Sequence, residues 1–237
     1  QIKVELEWEV PITTKSKETT PQPAITYELF YVKLKLGDEA QDREYFAYHL
    51  LEGKKFTENN NLCQTPTLSC NGLLPNGQYD LFLVAFEENT GKYASYKVSK
   101  NVVLSQAMKP NDLSTISLSS QDDYTVFYHF KINKNQEYWF NLSSVDQFTT
   151  NTTLKIFNRN SRTHYIFELD NGTKLQRGKF LTGEELNIED EYVVEIHAVV
   201  SDARETTDLN FFNTKFEKDD EKVAKVFREM SAIEYGH

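Results

Sequence analysis

A turn that leads into an alternating strand, over residues 70–86, constrains the fold of this chain more than any other stretch. Leu73 stands six residues before Tyr79, and Pro75 and the Asn76-Gly77 dipeptide between them are typical of a tight turn. From Tyr79 onward the chain reads as a strand whose side chains alternate between two faces: one carries Tyr79, Leu81, Leu83 and Ala85, and the other carries Asp80, Phe82, Val84 and Phe86. A tyrosine that opens a strand just after a turn is the arrangement of a tyrosine corner, in which the hydroxyl bonds to upstream backbone.

The segment from Gly72 to Tyr79 resembles the E–F corner and F strand of a fibronectin type III domain. That family also has a Trp on its B strand and a Tyr that opens its C strand, and Trp8 and Tyr27 stand at those places. The resemblance implies an antiparallel β-sandwich over residues 1–106. Because only seven residues precede Trp8, we expect the family's first strand to be missing or to lie upstream.

The second half of the chain repeats the corner spacing. Leu186 lies six residues before Tyr192, and Tyr192 opens a second run of alternating apolar residues. We therefore predict a second, divergent fibronectin type III-like sandwich over residues 107–218. Further strands are predicted at 2–10, 25–36, 45–51, 92–104, 124–130 and 137–142, and a hairpin is predicted from 153–157 and 164–169.

The C-terminal tail has a different period. Val223, Val226, Phe227 and Met230 recur at helical spacing with charged residues between them, which predicts an amphipathic helix over residues 219–237. The predicted fold class is all-β, with two tandem antiparallel β-sandwiches followed by this short helix.

The charge of the chain argues against nucleic acid as a partner. The formal net charge is -10, whereas binding to phosphates needs a basic stripe. The sequence has no run of 18 apolar residues, so we expect no membrane insertion within this segment.

Two cysteines and three glycosylation sequons favour an extracellular location. Cys63 and Cys70 enclose a short loop that a disulfide can close, and the alternative is a pair of free thiols. Acceptor sequons begin at Asn141, Asn151 and Asn171. Together these features predict a secreted chain or the ectodomain of a membrane protein.

No residues in the sequence form the pattern of a catalytic or metal site. The histidines are scattered, and adjacent carboxylates on a strand point to opposite faces, so we predict no catalytic residue, metal ligand or cofactor. His197, on the outward face of its strand, is expected to be solvated or hydrogen-bonded. Residues 42–44, Asp-Arg-Glu, resemble the calcium-binding triplet of cadherins, but the partner acidic motifs are missing and we interpret the match as chance.

An excess of apolar residues marks a candidate interface in the first half. Two strands that are neighbours in fibronectin type III domains carry apolar residues on the face that should point outward, and a contiguous apolar patch usually indicates an interface. These residues are Phe30, Val32, Phe82, Val84 and Phe86. We expect the second unit, the tail helix or another chain to cover them; the alternative is one or two isolated exposed aromatic residues.

The corner, with a cysteine just upstream, looks most like the membrane-proximal repeats of receptor-type protein tyrosine phosphatases. The matching residues are Cys70-Asn-Gly-Leu-Leu-Pro75. The resemblance implies a non-catalytic ectodomain close to a membrane, which acts in adhesion or ligand binding or as a spacer. Its partner would be a protein ligand or a neighbouring receptor chain, and a phosphatase domain would lie elsewhere.

Two other classes of function remain open. One is a cytokine-receptor or adhesion-type ectodomain that contacts its ligand through the hinge around residues 104–112. The other is a secreted carbohydrate-acting or inhibitor protein, for which a carboxylate pair or an aromatic platform in a cleft would be the sign.

Overall fold

The computed structural model describes residues 1–9, 24–35, 60–109, 112–132, 136–145, 147–171, 180–182, 189–202 and 204–217. The predicted strand at 45–51, the Asp-Arg-Glu triplet, Leu186 and the predicted C-terminal helix lie outside the described residues. The chain divides into two units, Gln1–Leu104 and Ser105–His237.

The described residues of unit 1 form antiparallel strands in two sheets. The strands are β1 (Ile2–Glu7), β2 (Ile25–Leu34), β3 (Asn61–Thr65), β4 (Ser69–Leu74), β5 (Gly77–Glu87) and β6 (Lys92–Leu104). One sheet has the order β1-β4 and the other β3-β2-β5-β6. In the order of a type III-like sandwich, β1 and β4 correspond to strands B and E, and β2, β5 and β6 correspond to C, F and G.

The tyrosine corner closes the turn between β4 and β5. The Tyr79 hydroxyl donates to the Pro75 carbonyl oxygen at 2.7 Å, as such a corner requires. The Trp8 and Tyr27 rings meet edge to face with centroids 5.3 Å apart. Tyr79 belongs to the core cluster, and Trp8 packs against that cluster.

The leucine of the corner is Leu74, not Leu73. Leu74 is buried in the core of unit 1, whereas Leu73 is 56% exposed. Inward positions on β4 alternate with outward ones, and the buried Cys70 sets the inward phase. The residue six positions before Tyr79, Leu73, therefore points outward, and its neighbour Leu74 fills the core.

A buried carboxylate shapes β6 opposite the start of β5. Asp80 is 1% exposed, and its Oδ1 accepts from the Asn101 backbone N–H at 2.9 Å. Gln78 Nε2 donates to Asn101 Oδ1 at 2.9 Å. Asn101 has φ of 57°, and the β5–β6 register shifts between Tyr79 and Leu81. These bonds stabilise a bulge in a conformation that asparagine tolerates better than most residues.

The described part of unit 2 also consists mainly of strands, and it includes a 3₁₀ turn at Ser120–Asp122. The strands are β7 (Gln106–Ala107), β8 (Asp112–Ser119), β9 (Thr125–Lys131), β10 (Gln136–Ser144), β11 (Thr149–Asn158), β12 (Ser161–Asn171), β13 (Phe180–Thr182), β14 (Glu191–Val200) and β15 (Thr206–Glu217).

The strand order of unit 2 is that of a jelly roll. One sheet has the order β13-β10-β15-β8, and the other β12-β11-β14-β9 with the short β7 parallel to β9 at its edge. Strands β8 to β15 thus contribute four antiparallel strands to each sheet, and the chain passes from one sheet to the other at every connection except the β11–β12 hairpin, as in a double Greek key of eight strands. This order differs from the fibronectin type III order that we predicted for residues 107–218, because corner spacing reports how one strand begins and not which strands pair.

The alternating run after Tyr192 points into the core between these sheets. Tyr192, Val194, Ile196 and Ala198 all belong to one buried cluster with apolar residues of the facing sheet. A buried hydrogen bond between hydroxyls also crosses the sandwich, from Thr149 on β11 to Thr207 on β15 at 2.7 Å.

Candidate functional site

The apolar residues predicted to form an interface on unit 1 are not an exposed patch. Phe30, Phe82 and Val84 are 4%, 1% and 1% exposed, and Val32 and Phe86 are half-buried. They lie on the face of the β2–β5 pair opposite to Leu29 and Leu81, which fill the core cluster. Strand β5 is therefore buried on both faces. The expectation that the second unit, the tail helix or another chain covers the face of Phe30 and Phe82 stays a prediction.

A disulfide joins the two sheets of unit 1. Cys63 on β3 and Cys70 on β4 are bridged, with Cα atoms 6.3 Å apart. The strands approach closely at this point, since a Cβ on Gly72 would lie 2.4 Å from Leu62 Cδ1. Gly72 thus lets β4 pass Leu62, and the bridge fixes the two sheets beside it. A disulfide in this position fits an oxidising, extracellular environment.

The three sequons lie on strands of unit 2. Asn141 is on β10, Asn151 is on β11 and Asn171 is the last residue of β12. Asn151 is half-buried, and its Oδ1 accepts from the Thr152 backbone N–H at 3.0 Å. Glycan attachment at these residues stays a prediction.

The five-stranded sheet of unit 2 has an outer face, opposite to the core, that is buried at one end and open at the other. Phe127, Phe157, Val193 and Glu195 on this face are buried. Val199, towards the end of β14, is 46% exposed.

Lys155 connects the charged and aromatic parts of this outer face. Its Nζ lies 3.6 Å from Glu168 Oε1 and 4.7 Å from the centroid of the Tyr165 ring. The Tyr165 ring also meets Phe157 edge to face, with centroids 6.0 Å apart. Tyr165 is 44% exposed and sits on β12 at the margin of the sheet.

His197 was expected to be solvated or hydrogen-bonded, and the structure shows that it is hydrogen-bonded. Its Nδ1 lies 3.0 Å from Thr125 Oγ1, and that hydroxyl donates to the Asp123 carbonyl oxygen at 3.0 Å. Burial lowers the pKa of His197 below its usual value of 6.5, the carboxylate and backbone of Asp123 oppose this, and the charge of Lys155 adds to the lowering. His197 is thus held towards the neutral form.

A second polar cluster, of Ser105, His129, Arg159 and Glu191, was not foreseen from the sequence. Ser105 Oγ lies 2.8 Å from His129 Nδ1 and accepts from the Arg159 guanidinium. Arg159 Nε in turn lies 2.5 Å from Glu191 Oε1, and the Arg159 backbone N–H donates to the Glu191 carbonyl oxygen at 2.9 Å. No local motif connects these residues, because they come from four segments that only the sheet brings together.

The cluster is better suited to anchoring the chain than to nucleophilic catalysis. Ser105 is 6% exposed, and its oxygen already accepts from Arg159, so a substrate has little access to it. The next residues form β7 on the edge of β9, and the Met108 backbone N–H donates to the His129 carbonyl oxygen at 2.9 Å. Ser105 and β7 together fix the first residues of unit 2 to its five-stranded sheet.

Within the described part of the chain, no three His, Cys, Asp or Glu residues are grouped to hold a metal ion. Among the same residues, no helix is long and apolar enough to cross a membrane.

No protein-family model matches the chain, and no curated protein sequence matches it either. Solved structures with some likeness include a carbohydrate-binding module of the β-sandwich superfamily, at 8% identity and a TM-score of 0.29, covering 92% of this chain and 99% of that one. Another is the infectious bursal disease virus VP2 subviral particle, at 12% identity and a TM-score of 0.25, covering 83% of this chain and 53% of that one. A third is the FN1-FN3 region of chicken CNTN1, at 12% identity and a TM-score of 0.22, covering 88% of this chain and 62% of that one. At these values the likenesses carry no argument about function.

Proposed function

We propose that this chain is a non-catalytic extracellular region of a cell-surface receptor, with a protein ligand or a neighbouring receptor chain as its partner. The observation that carries the proposal is the Cys63–Cys70 bridge between the two sheets of unit 1. Structural disulfides persist in secreted and cell-surface proteins and are rare in the cytosol. The three sequons of unit 2 support the same compartment.

Two β-sandwich units in one chain support a role in binding or as a spacer. In such units the sheets form a fixed core, while loops and sheet faces are presented to partners. The fold alone does not select a ligand, so the partner has to be argued from the surface.

Exposed leucines on unit 1 support a protein as that partner. Leu73 on β4 is 56% exposed and Leu68, just before β4, is 41% exposed. On β1, paired with β4, the exposed Lys3, Glu5 and Glu7 form a charged border beside them. Apolar side chains beside a polar rim are typical of protein–protein contacts.

We infer further that the receptor is of the tyrosine phosphatase type and that this region lies next to its membrane segment. The support is the resemblance of the segment from Cys70 to Pro75, and the structure adds that Cys70 is the disulfide-bonded, buried cysteine of β4. The full-length coding sequence tests this inference. A membrane segment and a phosphatase domain after residue 237 would support it, and a cytosolic enzyme domain of another class would overturn it.

Secretion from cultured animal cells tests the location. We expect the chain, placed behind a secretory signal, to leave the cell with Cys63 and Cys70 protected from alkylation and with a mass that falls after N-glycosidase treatment. Substitution of the sequon asparagines by Gln should remove that mass loss. Free thiols at both cysteines and no glycan in the secreted chain would overturn the proposal.

A screen of receptor ectodomains displayed on cells tests the protein partner. Leu68→Glu and Leu73→Glu should weaken any binding found, because a charge would be buried at the contact. Val145→Glu is the matched control, since Val145 is 53% exposed and lies in unit 2. Equal binding by all three variants would contradict the assigned surface.

The strand order of unit 2 favours carbohydrate binding as a second candidate function. Jelly rolls include lectin domains, and the exposed Tyr165 ring lies at the margin of the outer face, near Lys155 and Glu168. A sugar can stack its apolar face on such a ring while its hydroxyls bond to charged groups. A glycan array read with wild type and Tyr165→Ala tests this; binding that the variant retains in full would rule out this surface.

A further inference from the structure

The open end of the outer face of unit 2 brings a sequon asparagine and an exposed valine together. On this face Phe157 and Val193 are buried, whereas Val199, further along β14, is 46% exposed. Asn151, the first residue of an Asn-Thr-Thr sequon, stands directly opposite Val199 on β11. Facing residues of antiparallel strands have Cα atoms about 4.5–5.5 Å apart and project to the same face, so the two side chains are neighbours.

The residues next to this pair show that it points away from the core. Thr152 and Ala198, which also face each other, are buried, and Ala198 belongs to the core cluster between the two sheets. Side chains alternate along a strand, so Asn151 and Val199 lie on the opposite, outer face. A glycan on Asn151 would therefore leave the sheet on the side of Val199 and not enter the interior of the sandwich.

The flanking strands stop short of this pair. The pairing of β9 with β14 ends at Thr125 opposite His197, and the pairing of β12 with β11 ends at Asn171 opposite Thr152. Among the described strands, only β11 and β14 therefore border the pair. A bulky group attached here would not have to pass across a neighbouring strand.

A bulge and a local hydrogen bond set the position of the Asn151 side chain. The β11–β14 register shifts between Thr149 and Asn151, and the hydroxyl of the intervening Thr150 donates to the Val199 carbonyl oxygen at 3.1 Å. A bulge of this kind bends its strand and changes the direction of the side chains beside it. Asn151 Oδ1 accepts from the Thr152 backbone N–H at 3.0 Å, a bond that does not use Nδ2, the atom to which an N-linked glycan is attached.

We propose that Asn151 carries an N-linked glycan whose first sugars pack on Val199 and cover the open end of the outer face. The inference rests on the proposed extracellular location, because such glycans belong to secreted and cell-surface proteins. The apolar face of a sugar ring can cover an aliphatic side chain while the hydroxyls of the sugar stay in water. A glycan in this position keeps the exposed valine from non-specific association with other proteins.

Glycopeptide mapping of the whole chain, secreted from cultured animal cells, tests the attachment. We expect a glycan at Asn151 in wild type and none in Thr153→Ala, which lacks the hydroxyl that the sequon requires. Thr153→Ser retains that hydroxyl and should retain the glycan. Asn141→Gln, on β10 in the other sheet, is the matched control and should leave the Asn151 glycan unchanged. An unmodified Asn151 in the secreted wild-type chain would overturn the proposal.

Hydroxyl-radical labelling read by mass spectrometry tests the contact with Val199. Its labelling in glycosylated wild type should fall to about half of that in Asn151→Gln, because the first sugars cover part of the exposed side chain. Val145 is 53% exposed and follows β10, so its labelling should be the same in both chains. Thr153→Ala repeats the comparison with Asn151 intact, which guards against a folding defect in one variant. Equal labelling of Val199 in wild type and in both variants would overturn the contact.

The pattern of occupied sequons separates this inference from the proposed function. A secreted chain with a glycan at Asn141 or Asn171 but none at Asn151 would overturn the inference and leave the extracellular location standing. A chain with no glycan at any of the three sequons and with free thiols at both cysteines would overturn both.

Discussion

The Tyr79 hydroxyl makes a hydrogen bond that determines how the chain enters β5. It donates to the Pro75 carbonyl oxygen at 2.7 Å, four residues upstream, and its ring lies in the core of unit 1. The ring packs edge to face on Tyr31, with centroids 6.0 Å apart. The residue therefore joins the turn and the core through one side chain.

Tyr79→Phe should destabilise unit 1 by about 0.5–1.5 kcal/mol, since it removes one hydrogen bond and leaves the Pro75 carbonyl oxygen without this donor. Urea unfolding followed by the fluorescence of Trp8, in a Trp139→Phe background, measures the effect. Tyr27→Phe removes a hydroxyl from a half-buried ring of the same unit that makes no described hydrogen bond, and it should change stability less. Equal losses in both variants would contradict a specific role for the corner.

His197 should make unit 2 less stable in mild acid. Burial lowers its pKa in the folded chain, so between that value and 6.5 the unfolded chain binds more protons. The free energy of unfolding must then fall as the pH drops below 6.5. Above pH 6.5 His197 is neutral in both the folded and the unfolded chain, so it adds no pH dependence there. We expect His197→Gln to reduce the loss of stability between about pH 7.5 and about pH 5.5.

Nuclear magnetic resonance measures the same quantity directly. The ring protons of His197 should titrate at a pH below 6.5, and those of the unfolded chain at the ordinary value. A titration midpoint at or above 6.5 in the folded chain would show that Asp123 outweighs burial.

At the scale of single elements, the short strand β7 is held by side-chain bonds as well as by backbone pairing. It has only two residues, and Ser105 immediately before it is bonded to His129 and Arg159. We predict that Ser105→Ala speeds amide hydrogen exchange at Ala107 and Met108 by several-fold and leaves β14 unchanged, because loss of the anchor permits local opening.

Ser117→Ala is the control for this exchange experiment. Ser117 is exposed on β8 of the same unit, so its loss should alter neither segment. Unchanged exchange at Met108 in Ser105→Ala would mean that backbone pairing with β9 alone holds β7.

Strands with strong alternation were predictable from the sequence. The runs that begin at Tyr79 and Tyr192 and the strand over 92–104 coincide closely with β5, β14 and β6. The hairpin of β11 and β12 was also predicted, from two apolar runs around a polar turn. In each case a local pattern of period two contains the information.

Strand order and the polar clusters were not predictable in this way. β15 pairs with β8 and β10, more than 60 residues away along the chain, and nothing local in any of the three indicates it. The jelly-roll order of unit 2 follows from such long-range pairs. The Ser105 cluster depends on the same pairs, so it becomes visible only after the sheet is built.

At the scale of the whole molecule, the disulfide belongs to unit 1 alone. Both cysteines lie within Gln1–Leu104, and they tie β3 to β4 across a separation of seven residues. Cross-linking so short a loop reduces the entropy of the unfolded chain and is worth about 2–3 kcal/mol.

Replacing both cysteines by serine should therefore lower the stability of unit 1 by about 2–3 kcal/mol and leave unit 2 unaffected. Trp8 reports on unit 1 and Trp139 on unit 2, so single-tryptophan variants separate the two unfolding transitions. A matched measurement on wild type under reducing conditions should show the same difference. Equal shifts at both tryptophans would mean that the units unfold together.

Because β5 is shielded on both sides, its tolerance to substitution should differ from that of an ordinary sandwich strand. In a strand with one wet face, a saturation mutagenesis scan alternates between permissive and restrictive positions. Along Leu81, Phe82 and Val84 that alternation should vanish, since each of these side chains is buried. Consecutive positions of this strand should therefore accept only apolar residues. A polar substitution should be destabilising on either face of the strand.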